Sequence, residues 1–207
     1  MDIAIIGSGN VGKALASSFT KAGHEVTLVA KHPENAREAA RQLGARVAND
    51  PAEAVSGADL VVLAVPADAL DDVARAIGPK VTGKVVVDVS NRPTPDPAGS
   101  PTSVAEELQG KLPEAKVVKA FNTAFASQQA EPIVNGIPAD GFVAADDDSA
   151  KQTVLDAVES IGFRPVDAGS LAAARTLEGM AWLNITRNMK GGSWQDAWVL
   201  VGPDHRN

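Results

Sequence analysis

Short apolar runs alternate with charged, alanine-rich stretches along most of the chain. The runs at 1–6, 26–30, 59–65, 84–89, 116–120 and 141–145 each have the length of one buried strand. A weaker run lies at 45–48, and a last one at 163–167 holds Pro165, which places it at a sheet edge. Between them, helices are predicted after Gly12, over 34–43, from Pro51, over 68–77, over 104–108 and over 149–161. Their ends carry ordinary punctuation. Gly23, Gly44 and Gly162 stop helices, and Asp50 with Pro51 starts one. Asp146, Asp147 and Asp148 read as an acidic helix start rather than a metal site, because no ligand spacing accompanies them. From Ser170 the pattern is helical to Asn188, with Leu171, Ala174, Leu177, Ala181, Ile185 and Met189 on one face.

Strand and helix in this alternation predict a parallel sheet with right-handed crossovers. The expected fold is therefore α/β, a Rossmann-type doubly wound, mainly parallel sheet with a small C-terminal helical lobe. Residues 1–145 are expected to form the nucleotide-binding domain and 146–207 the lobe. The stretch from Ser90 to Pro101 breaks the rhythm with Pro93, Pro95, Pro97 and Gly99. It leaves the carboxyl end of a strand, where open α/β sheets bind ligands, and reads as a wall of the site.

Composition narrows the chemistry. Among 207 residues there is no cysteine and no tyrosine, and all three tryptophans follow residue 180. Thiolate catalysis and Cys-ligated metal are excluded, and the N-terminal core must be Ala, Val, Leu and Ile, as suits a sheet covered on both faces. A net charge of −7 argues against nucleic acid as a partner. No stretch resembles a signal peptide or a membrane span, so no membrane partner and a cytoplasmic location are expected. Trp182, Trp194 and Trp198 read either as a homodimer interface or as the cap of a pocket.

The first run leads straight into Gly7-Ser8-Gly9-Asn10-Val11-Gly12, a G-x-G-x-x-G between strand and helix. In that context Gly7 permits the turn, Gly9 lets a pyrophosphate approach and Gly12 lets helix and strand pack. About 20 residues further on, NAD-specific sites carry a carboxylate for the ribose 2′-hydroxyl. Here Ala30 stands there, followed by Lys31 and His32, which favours the 2′-phosphate of NADP. Of the three histidines, His24, His32 and His205, none is placed as a catalytic base. Hydride transfer needs no protein nucleophile and fits this inventory: binding and orientation do the work, with no catalytic side chain and no metal.

The N-terminal IIGSGNVGKALA, LAVP at 63–66, DVSN at 88–91, KAFNT at 119–123 and PVDAGSLAAAR at 165–175 together resemble NADPH-dependent deazaflavin reductases. Those enzymes move hydride between NADP and coenzyme F-420 (F420), an 8-hydroxy-5-deazaflavin. The same motifs resemble the reductase domain of six-transmembrane metalloreductases, which passes electrons from NADPH to a flavin. The resemblance implies that Ser8, Gly9, Asn10 and Val11 wrap the pyrophosphate and that Lys31 and His32 hold the 2′-phosphate. It implies that Val65 and Pro66 border the nicotinamide ribose, and that Ser90, Asn91, Ala120, Phe121 and Asn122 line the nicotinamide. Leu183, Asn184 and residues 191–194 would close the pocket of the second cofactor, which is F420, FAD or FMN. Where the deazaflavin enzymes commonly carry Arg after the second strand, this chain has Lys31-His32. Two other readings stand beside this one. One is an imine reductase like pyrroline-5-carboxylate reductase; the other is a non-catalytic NADP(H)-binding sensor or scaffold.

Overall fold

The computed structural model describes residues 1–92 and 99–202. Apolar runs become the strands β1 (Asp2–Ile6), β2 (Glu25–Val29), β3 (Arg46–Val47), β4 (Leu60–Leu63), β5 (Val85–Asp88) and β6 (Lys116–Ala120). The first five connections carry α1 (Asn10–Lys21), α2 (Pro33–Leu43), α3 (Pro51–Ser56), α4 (Leu70–Ile77) and α5 (Val104–Lys111). After β6 come α6 (Ala126–Ala130), a small hairpin of β7 (Ile133–Val134) and β8 (Ile137–Pro138), and β9 (Asp140–Ala145). Then follow α7 (Asp148–Ser160), β10 (Arg164–Gly169) and α8 (Ala174–Met189).

Eight strands form one sheet in the order β10-β9-β6-β5-β4-β1-β2-β3. All neighbours in it are parallel except β6 and β9, which are antiparallel. Rossmann-type architecture and a mainly parallel sheet are thus what the chain adopts. Alternate residues feed two cores: Ile3, Ile5, Leu60 and Val62 pack on one face with Leu15 and Phe19 of α1. Ala4, Ile6, Val61 and Leu63 pack on the other with Val55, Ala74 and Leu108. Strands buried on both faces read as unbroken apolar runs for this reason.

Local signals also hold. The Asp50 carboxylate accepts from Glu53 N at 2.8 Å and Asp147 from Ala150 N at 2.8 Å, each capping a helix. β10 is an outer strand, as Pro165 requires.

Three expectations change. α6 and the β7–β8 hairpin were not foreseen, because neither has a hydrophobic period long enough to register. The face of α8 turns: Met189 is exposed, and Asn184 and Asn188 are buried in its stead. They are buried because they bind the chain that follows. Asn184 Nδ2 donates to Asp196 O at 3.1 Å, and Asn188 Nδ2 to Asp196 Oδ2 at 3.0 Å. The expected boundary at residue 145 falls at the turn from β9 to α7, and β10 extends the same sheet beyond it. Pro93, Pro95 and Pro97 lie outside the described residues. No helix among the described residues is long and apolar enough to cross a membrane.

Candidate active site

Strand register builds the site. Ile6 pairs with Val29 and with Leu63, Leu63 with Asp88, and Asp88 with Lys119. With about 4.8 Å between neighbours, the five segments beyond these residues leave the sheet side by side. They carry Lys31 and His32 after β2, Gly7 to Gly12 after β1, and Val65 and Pro66 after β4. Ser90 and Asn91 follow β5, and Phe121 and Asn122 follow β6, whose last residue is Ala120. The residues that the sequence assigns to the dinucleotide therefore follow neighbouring strands at the carboxyl end of the sheet.

The glycines divide the labour. Gly7 has φ +113° and donates its N–H to Val29 O at 2.8 Å, and a Cβ there would stand 2.1 Å from Ala64 O. A Cβ on Gly12 would stand 2.0 Å from Gly7 O. Both positions are closed by the protein's own backbone. A Cβ on Gly9 meets nothing within 4 Å, so the space over Gly9 is open. Gly9 caps α1 without a side chain, and no acid lies in the first turn. The leading N–H groups and the positive dipole end are thereby left for an anion. Ser8 and Val11 are half-buried beside this opening, and Asn10 is exposed.

Lys31 and His32 are both exposed. Lys31 has no polar partner among the described residues, and His32 Nδ1 lies 3.7 Å from Glu34 Oε1. Val65 is half-buried and Pro66 exposed.

Beyond β5 and β6 the rim is polar and tied together. Asn91 Nδ2 donates to Asn122 O at 3.0 Å, and Asn122 Nδ2 returns to Asn91 Oδ1 at 2.9 Å. Ser90 Oγ and Asn122 Oδ1 are buried without a hydrogen-bond partner. Such atoms ordinarily find a partner in protein, water or ligand. Phe121 differs from its expected role. Its ring is 2% exposed and stands edge-on to Phe19 and Phe163, with centroids 6.0 and 6.4 Å away. Ala120 is fully buried as well. What these two bring to the rim is backbone, turned by the unusual Phe121 φ of +61°.

A buried charge cluster beneath the rim was not anticipated. Lys119 Nζ donates to Asp88 Oδ2 at 2.8 Å, to Ser90 O at 2.5 Å and to Glu178 Oε1 at 3.1 Å. All three charged side chains are fully buried. Burial pushes the Glu178 carboxyl up, against the pull of the Lys119 ammonium. The signal was present in the sequence: Asp88 and Lys119 interrupt apolar strands, and Glu178 sits between Leu177 and Ala181. Nearby, Arg175 grips Glu106 through two bonds of 2.8 and 2.5 Å. Chiefly that hydrogen bonding holds Glu106 down to about 2. No group of three or more His, Asp or Glu among the described residues is arranged to hold a metal.

The chain after α8 folds back across the β6–β9 connection. Trp194 stands edge-on to Phe125 at 5.2 Å, and Ser127 Oγ donates to Trp194 O at 2.7 Å. Asn188 Oδ1 accepts from Trp194 N at 2.7 Å. Leu183 and Asn184 lie with residues 195–198 around a cavity of about 470 Å³.

Comparison with known proteins follows the same lines. Residues 2–92 match the family described as NADP oxidoreductase coenzyme F420-dependent. The F420-dependent NADP reductase of Methanothermobacter thermautotrophicus is 29% identical over 211 residues, covering 92% of this chain and 90% of that protein. Metalloreductase STEAP3 of Rattus norvegicus is 31% identical over 182 residues, covering 85% of this chain; the chain spans about a third of that protein, 35%. A solved structure assigned as an F420-dependent NADP-reductase from Arthrobacter sp. FB24 superposes with a TM-score of 0.85 at 27% identity. It covers 97% of this chain and all of that one. The glycine turn, the sheet and these relatives agree in likening this chain to the coenzyme F420-dependent NADP oxidoreductases, whose family pattern residues 2–92 match.

Proposed function

We propose that this protein transfers hydride between NADP(H) and a deazaflavin or flavin acceptor. The observation that carries the reading is the shared rim: an anion-ready helix start and a β2 end with Ala30 and Lys31 at one side, and two orphaned buried oxygens at the other. Gly7 to Gly12 and the first turn of α1 hold the pyrophosphate. Lys31 and His32 hold the 2′-phosphate, Val65 and Pro66 border the ribose, and Ser90 Oγ and Asn122 Oδ1 engage the nicotinamide end. NADPH supplies the hydride and a planar acceptor takes it, so the protein's part is to bind, orient and exclude water. Leu183, Asn184 and the segment 191–194 form the acceptor side, held by Trp194 against Phe125 and Ser127.

The test is NADPH oxidation with F420, FAD and FMN each offered as acceptor, with NADH as the control donor. Turnover with one of the three, and preference for NADPH, supports the reading and names the acceptor. NADPH binding with no turnover for any acceptor overturns it.

A further inference from the structure

The stretch between β5 and α5 is gripped at both ends by one buried cluster. At its start, Ser90 gives its carbonyl to Lys119 Nζ at 2.5 Å and its N–H to Asp88 Oδ1 at 2.9 Å. At its end, Val104 N donates to Glu178 Oε1 at 2.8 Å, the same oxygen that accepts from Lys119. An ammonium has three protons to donate, and Lys119 spends them on three separate elements: β5, the turn after it, and α8. Nothing apolar is gained by this arrangement. Apolar residues of similar volume would hold a sheet and a helix together at least as well, so a buried charge cluster is weak evidence for stability. What it supplies is direction. Ser90 is followed by Asn91, whose side chain is locked to Asn122, so a fixed Ser90 carbonyl fixes the rim after both β5 and β6.

We propose that Lys119 is a positioning residue for the nicotinamide end of the site: clamped by Asp88 and Glu178, its ammonium holds the Ser90 carbonyl and thereby sets the Ser90-Asn91-Asn122 rim. Lys119 itself is sealed from solvent and acts through the Ser90 carbonyl. The inference rests on the dinucleotide reading above, and its test separates the two. Its readout is binding, which needs no acceptor.

The full chain carrying Lys119→Met, Asp88→Asn and Glu178→Gln together removes the cluster's charges without stranding any of them. Affinity is measured for NADPH and for 2′,5′-ADP, which keeps the 2′-phosphate and one phosphate of the bridge and lacks the nicotinamide half. The expected result is cooperative melting, 2′,5′-ADP affinity within about twofold of wild type, and NADPH affinity lowered about tenfold. Equal affinity of wild type and folded variant for NADPH overturns the proposal, as does an equal loss for both ligands. If the triple variant does not melt cooperatively, Asp88→Asn alone is read by the same ratio. It removes the charge and leaves a single oxygen where Lys119 Nζ and Ser90 N each had their own. A threefold or greater fall in the NADPH to 2′,5′-ADP ratio supports the proposal, and an unchanged ratio overturns it. A wild type that binds neither ligand sinks the dinucleotide reading instead.

Discussion

Asn91 and Asn122 face each other across the ends of two parallel strands and exchange two hydrogen bonds, at 3.0 and 2.9 Å. One is made by a main-chain carbonyl, so only half of the pair depends on the Asn122 side chain. Asn122→Ala should therefore lower stability by about 1–2 kcal/mol, the cost of one hydrogen bond and its stranded partner. The urea midpoint should fall with an unchanged slope. The same variant should raise KM for NADPH, since it removes an oxygen assigned to the nicotinamide end.

Two glycines of one motif should respond oppositely to alanine. At Gly12 a Cβ would overlap the Gly7 carbonyl at 2.0 Å, so Gly12→Ala should destabilise by about 1–3 kcal/mol or more. At Gly9 nothing lies within 4 Å and φ is −72°, so Gly9→Ala should leave stability within about 0.5 kcal/mol. It should nonetheless abolish dinucleotide binding. Thermal melting paired with NADPH titration distinguishes the two, and normal NADPH affinity in Gly9→Ala would count against the assignment of that open space.

Lys31 has no polar partner among the described residues, so its replacement should cost nothing in folding. Lys31→Ala should raise KM for NADPH by an amount worth about 1.5–3 kcal/mol, the range for a charged hydrogen bond, and leave NADH unaffected. Steady-state kinetics with both donors gives the answer. Equal effects on the two would show that this lysine does not read the 2′-phosphate.

The Arg175–Glu106 pair joins α8 to the first turn of α5, and its pH dependence has a definite sign. Glu106 is held below its ordinary value of 4.5, at about 2. Its contribution is complete above pH 4.5 and is lost as pH falls through that interval. Glu106→Gln should thus lower the urea midpoint at neutral pH, and the gap between variant and wild type should narrow at about pH 3. A gap independent of pH would mean that the ionised Glu106 carboxylate does not carry the effect.

Legibility in the sequence followed burial. Strands buried on both faces announce themselves as VVLAV or VVVDV, and β1, β4, β5, β6 and β9 were all visible within two residues. Gly7, Gly9 and Gly12 were readable because backbone geometry admits few alternatives. Phe121 was misleading because its motif sits on the rim while its φ of +61° sends the ring into the core. The Lys119 cluster was hidden for a different reason: its members lie 31 and 59 residues apart, and a lone charge in an apolar run does not reveal its partner. Asn184 and Asn188 broke the apolar face of α8 because their partners, Asp196 and Trp194, come from chain that has no period of its own.

The two outermost strands of the sheet carry a consequence for assembly. β3 is two residues long, and β10 holds Pro165, which offers no N–H to a further strand. Beside Pro165, Arg164 is tied to Asp140 and to the Leu200 carbonyl. Each margin is a poor template for another strand. Joining two copies edge to edge through this eight-stranded sheet is thereby disfavoured.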